Sequence, residues 1–194
     1  MASYFIIHKP FNVLSQFSAT DNKKSLKDFF VVPTDVYPVG RLDYDSEGLL
    51  ILTNDTSLNK RLLHPLHAHE REYWVQVDGY ISNEAVHQLA KGISITVEGT
   101  SYSTKPCKAL HFEIPPPVAE RNPPVRFRKS IPTSWIQLIL TEGKNRQVRK
   151  MTAAVGFPTL RLIRYRIGHL TIESLSPGQM IELSQRELTK ALFE

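Results

Sequence analysis

The sequence predicts an α+β fold built on a mixed, mainly antiparallel sheet with flanking helices. Three observations carry this. Strand-like segments outnumber helix-like ones. The helical segments are too few to alternate with strands as βαβ winding requires. The 194 residues are enough to bury a core within one domain. Phe5–His8 reads as an opening strand, and Lys23–Phe30 as a short helix with Leu26, Phe29 and Phe30 at helical spacing. Leu49–Thr53 is a continuous apolar run of strand length, which points to burial on both faces. Ser57–Leu63 is helical and stops before Pro65. In the β-rich Glu72–Val77, the side chains of Tyr73, Val75 and Val77 share one face. Ser82 caps a helix that runs to Lys91 and closes at Gly92. Ile93–Val97, Ala109–Ile114, Trp135–Leu140, Thr159–Ile163 and Leu170–Ile172 are further strands. Asn145 is the expected cap of a last helix, with Val148, Met151, Thr152 and Val155 inward and Gly156 and Pro158 at its end. Six of the 13 prolines fall within residues 115–132, which is either a linker or an ordered loop presenting Arg126, Arg128 and Lys129.

Hydrophobic residues make up 41% and charged residues 22%, an ordinary globular composition that excludes disordered, collagenous and disulfide-framework classes. No stretch approaches the ~20 apolar residues of a membrane span, and Met1–His8 is too short for a signal peptide. The lone Cys107 forms no internal disulfide and fits a reducing cytoplasm. Charge is unevenly distributed. Residues 121–166 carry 11 bases and one acid, Glu142, for a net +10 within a chain of net +5. Such a concentration is an electrostatic footprint for a polyanion.

Three polar segments hold the candidate chemistry. Gly40-Arg-Leu-Asp-Tyr-Asp-Ser-Glu-Gly48 leads into the buried Leu49–Thr53 run. Asp43 there is either a turn residue satisfying backbone donors or a nucleophile at a strand mouth. Asp43, Asp45 and Glu47 alternate, but no further ligands are spaced to complete a metal site, so no metal is expected. Tyr73 is an amphipathic strand residue with one polar tip. Glu142-Gly-Lys-Asn-Arg-Gln-Val-Arg-Lys150 is a donor-rich helix start suited to phosphates. His64, His67 and His69 read as a solvated or RNA-facing loop rather than a ligand set. No Gly-rich phosphate loop or nucleophile elbow is present, so no nucleotide cofactor is expected.

Taken together, Gly40-Arg-Leu-Asp43 with Ser46–Leu50 and Leu52–Asp55, then Glu72-Tyr73, then Glu142–Arg149, resemble the three active-site motifs of the pseudouridine synthases. The resemblance runs from Tyr4 to about Leu183 and is to the branch of the ribosomal small-subunit synthase A. Arg121–Trp135 and Gly156–Tyr165 are similar to the large-subunit group E within it. Relatives in that branch often carry an N-terminal domain of the ribosomal protein S4 type. Here the catalytic domain is expected to occupy residues 1–194 without one, as a cytoplasmic monomer.

The resemblance implies isomerisation of uridine to pseudouridine within large-subunit ribosomal RNA, with no cofactor and no membrane. It implies two lobes around a central catalytic cleft. Asp43 matches the nucleophile, attacking either the sugar C1′ or the uracil C6. Tyr73 matches the tyrosine stacked on the base, and Arg149 the basic partner of the aspartate. Arg41 is placed to fill the gap left by a flipped base. Arg126, Arg128, Lys129, Lys144, Asn145, Arg146, Gln147, Lys150, Arg161 and Arg164 are the expected RNA-binding residues. The competing class is a non-catalytic rRNA-binding module on the same scaffold.

Overall fold

A computed structural model describes residues 2–18, 22–126 and 131–194. In chain order its elements are β1 Tyr4–Lys9, β2 Tyr37–Pro38, β3 Glu47–Thr53, α1 Thr56–Leu63, β4 Arg71–Asp78, α2 Asn83–Lys91, β5 Ser94–Val97 and β6 Thr100–Ser103. They continue with β7 Lys108–His111, β8 Thr133–Leu140, α3 Gln147–Ala154, β9 Thr159–Ile167, β10 Leu170–Thr171, β11 Met180–Glu182 and α4 Gln185–Phe193. Short 3-10 turns occupy Leu26–Asp28 and Pro65–His67. The α+β class and the mainly antiparallel pairing agree with the sequence. The chain divides into two compact units, Met1–His69 with Ile163–Glu194, and Glu70–Leu162.

In the first unit the strands lie in the order β11, β1, β3, β9, with β2 on β3 and β10 on β9. Every residue of β1 and of β3 is buried, as the unbroken apolar run of β3 requires. Phe5 pairs with Leu52 and Ile7 with Leu50. These four point into one core with Val13, Leu26, Phe30, Val36 and Leu42. The β3–β9 pairing is parallel, through Glu47 with Ile163 and Gly48 with Arg164. A Cβ on Gly48 would lie 2.3 Å from the Arg164 carbonyl oxygen, and φ is +111°. Glycine is what lets the two backbones meet there.

In the second unit β4, β8 and β7 form an antiparallel sheet, and β5 and β6 a separate hairpin. Val75 and Val77 of β4, Ile136 and Leu138 of β8, Val86 and Leu89 of α2 and Val148 and Met151 of α3 share one core. The Ser82 cap is formed, its side chain accepting from Ala85 N, and Gly92 closes α2 at φ +90°.

Several boundaries differ from expectation. Lys23–Phe30 makes only the 3-10 turn, because Leu26 and Phe30 are anchored in the core while the Asp28 carboxylate bonds back to Ser25 N at 2.7 Å. Asn145 does not cap α3. Arg146 occupies the N-cap position in a left-handed conformation at φ +52°, without a side-chain capping bond, and Asn145 lies exposed in the turn before it. The strand expected to reach Ile114 ends at His111, with Ile114 80% exposed ahead of three prolines. The strand from Thr159 continues to Ile167. Helix α4 was not expected, although Ser184 and Glu187 form a capping box and Leu188 and Leu192 are spaced for one buried face.

Candidate active site

The loop that carries Asp43 is fixed from both sides. Ser15 Oγ donates to the Leu42 carbonyl at 2.7 Å and accepts from Leu42 N at 3.1 Å, while the Leu42 side chain is buried. Beyond Asp43 a turn closes with Ser46 N donating to the Asp43 carbonyl at 3.0 Å. Between these ties Asp43 is half-buried, and Arg41 is exposed. Next comes Glu47, 1% exposed at the head of β3. The backbone at the strand mouth is therefore held on both sides of Asp43, and a fixed mount of this kind lowers the cost of orienting any group it carries.

Lys9 lies beneath this loop and is fully buried. Its ammonium donates to the Val13 carbonyl at 2.6 Å, to Pro10 O at 3.0 Å and to Tyr44 O at 3.5 Å. Burial pushes its pKa down to about 7, against the upward pull of Glu47, Asp45 and Asp43, and Arg164 lowers it a little further. Arg164, 5% exposed, donates from Nε to the Leu49 carbonyl at 2.8 Å. The Asp43 loop is thus tied to buried Lys9 through the Tyr44 carbonyl, and buried Arg164 holds the backbone of β3 at Leu49. Sequence reasoning did not single out Lys9. Its signal was a lysine closing an otherwise apolar strand.

In the second unit Tyr73 is half-buried on β4, opposite Leu138, and packs against the core that holds Val148 and Met151 of α3. Tyr73 and α3, the helix that carries Arg149, thus border the same core. On the other face of β4, buried Glu72 accepts from Trp74 Nε1 at 2.8 Å and Gln137 Nε2 at 2.5 Å.

The 142–150 segment is clamped by its one acid. Glu142 accepts from Tyr102 Oη at 2.5 Å, Lys105 N at 2.9 Å and Gln147 Nε2 at 2.6 Å. Burial opposes its ionisation. The hydrogen bonds from Tyr102, Lys105 N and Gln147, with the charge of Lys105, outweigh it and hold the carboxyl below its ordinary value. Gln147 Oε1 accepts from Lys144 N at 2.9 Å, and Gln147 N donates to Lys144 O at 3.1 Å. These bonds do the work assigned to Asn145 and leave Lys144, Asn145 and Arg146 exposed, with Arg149 and Lys150 half-buried.

The expected RNA-binding residues therefore separate. Arg126, Lys144, Asn145 and Arg146 are exposed. Gln147, Arg161 and Arg164 are buried, at 4%, 5% and 5% exposure, and Gln147 is committed to Glu142. Arg128 and Lys129 lie outside the described residues. Among the described residues no three His, Cys, Asp or Glu side chains are grouped to hold a metal ion, and no helix is long and apolar enough to cross a membrane.

A family model for RNA pseudouridylate synthase matches residues 3–154. A protein of Vibrio parahaemolyticus named ribosomal large subunit pseudouridine synthase E is 48% identical over 178 residues, covering 92% of this chain and 72% of that protein. Its namesake from Xanthomonas campestris pv. campestris is 46% identical over 176 residues, covering 90% of this chain and 91% of that one. A crystal structure described as pseudouridylate synthase superposes with a TM-score of 0.78 at 27% identity, covering 99% of this chain and 74% of its own. The matched span takes in the Asp43 loop, the Tyr73 strand and the clamped 142–150 segment, and the chain belongs to the RNA pseudouridylate synthase family.

Proposed function

We propose that this chain isomerises uridine to pseudouridine in large-subunit ribosomal RNA, as a member of the small-subunit synthase A branch. The observation that carries the reading is its 48% and 46% identity to two proteins named large subunit pseudouridine synthase E. The chemistry is internally balanced. The N1–C1′ bond breaks, C5 bonds to C1′, the proton on C5 leaves, and N1 gains one. No group departs and no electrons are exchanged, so the reaction calls for no redox cofactor. Asp43 acts as the nucleophile, toward either C1′ or C6. Tyr73 stacks on the flipped base. Arg149 pairs with Asp43, keeping the carboxylate ionised and oriented. Arg41 takes the space the base vacates, and flipping is cheapest at an unpaired nucleotide.

In this reading residues 1–194 work as one cytoplasmic, monomeric catalytic domain. The exposed Arg126, Lys144, Asn145 and Arg146 contact phosphate, together with Lys150, Arg128 and Lys129. The buried Arg161, Arg164 and Gln147 serve by holding the scaffold. The test is to incubate purified protein with deproteinised large-subunit and small-subunit rRNA and map pseudouridine by reverse-transcription stops after chemical derivatisation. A new stop in the large-subunit RNA alone is expected. Stops in neither, or in the small-subunit RNA alone, would overturn the assignment.

A further inference from the structure

A row of rings runs across the first unit where α1 ends, with His64 and His67 exposed and His69 and Phe193 half-buried, and the proposed chemistry does not use it. His64 and His67 lie 5.4 Å apart between ring centroids, tilted by 57°. His67 stacks on His69 at 5.7 Å and 28°, and His69 meets Phe193 of α4 at 5.2 Å. The Arg61 guanidinium lies 3.5 Å from the centre of the Phe193 ring. The row is built into the backbone. His64 Nδ1 accepts from Leu66 N at 3.3 Å, and His69 Nε2 is 3.3 Å from the Arg61 carbonyl. The core of the unit takes Leu58 and Leu62 from α1, yet Leu63 is 49% exposed and Leu66 86%. Lys60 and Arg61, exposed in the last turn of α1, add positive charge beside the rings.

The row also adjoins the candidate site. A Cβ on Gly40, which opens the Asp43 loop, would lie 3.0 Å from Leu63 Cδ2. Flat rings, an exposed leucine and two cations at a loop that handles an extruded nucleotide match one chemistry. Unpaired bases stack on aromatic and imidazole planes in a sequence-tolerant way, and neighbouring cations hold the backbone. A duplex keeps its base faces covered and gains nothing from such a surface.

We propose that His64, Leu66 and His67 form a stacking platform for unpaired nucleotides flanking the target uridine. The platform rests on the proposed rRNA reading for its substrate. The test measures binding of a labelled single-stranded RNA of about 20 nucleotides, and of the corresponding duplex, by wild type, by His64→Ala/His67→Ala and by His67→Phe. The alanine pair is expected to bind the single strand at least ~5-fold more weakly and the duplex as wild type does, while His67→Phe stays near wild type. Far-UV circular dichroism confirms folding, and His67→Ala alone replaces the pair if the pair misfolds. Unchanged single-strand affinity, equal loss on the duplex, or no single-strand binding by wild type overturns the platform. Wild-type pseudouridine formation on rRNA, measured in parallel, reports separately on the functional reading.

Discussion

At the scale of single residues, Lys9 shows how the Asp43 loop is held and what that costs. Its folded pKa is lowered to about 7 from an ordinary 10.5. Between those values the unfolded chain binds more protons than the folded one, so this group makes stability rise with pH across that window. Below pH 7 both states hold the proton and the penalty for burying the charge is present in full. At its steepest the rise is about 1.4 kcal/mol per pH unit. Lys9→Met should lack it. Denaturation of both proteins at pH 7 and pH 9 should show wild type gaining relative to the variant, and parallel changes would contradict a depressed Lys9. Arg149 makes a different prediction. Arg149→Ala should lower turnover by about 100-fold or more, as loss of one oriented electrostatic partner does. Arg149→Lys should restore part of it, because charge returns without the planar fork. Equal rates for Ala and wild type would remove Arg149 from the chemistry.

At the scale of elements, the β3–β9 contact depends on one glycine. Gly48→Ala places a methyl 2.3 Å from the Arg164 carbonyl at a positive φ. The expected cost is about 3 kcal/mol or more, read as a fall in the urea midpoint. A change below about 1 kcal/mol would mean that the strands part easily. The same contact explains what was legible in the sequence. The apolar run Leu49–Thr53 announced a buried strand, Phe5–His8 announced an opening strand, and Ser82 and Gly92 announced both ends of α2, because local chemistry decides those elements. The Asp43, Tyr73 and Arg149 segments were legible as motifs. The turn before α3 was not. Asn145 is the right residue type for a cap, but Glu142, Tyr102 and Gln147 form the clamp, and Tyr102 is 40 residues away from Glu142 in sequence. Arg161 and Arg164 were counted with the surface cations because composition registers charge and not burial. Both lie in β9, whose parallel pairing with β3 no local pattern announces.

At the scale of the whole molecule, the net +10 of residues 121–166 sets how the chain meets a polyanion. If Arg126, Lys144 and Arg146 touch phosphates, replacing any one by Ala should reduce the log–log salt slope of rRNA binding by about 0.7 to 0.9 and weaken all RNAs similarly. Replacing buried Arg161 should change stability and leave that slope nearly intact. Slopes that fail to move for all three exposed residues would make the basic segment a solvated face. The central claim is that a carboxylate on the rigid Asp43 loop isomerises uridine, and loss of the C5 hydrogen reads it directly. Tritium release from large-subunit rRNA carrying uridine tritiated at C5 should proceed with wild type. With Asp43→Asn it should fall at least about 1,000-fold while RNA affinity and melting temperature stay unchanged. Release by a folded Asp43→Asn protein at a rate near wild type would contradict the account.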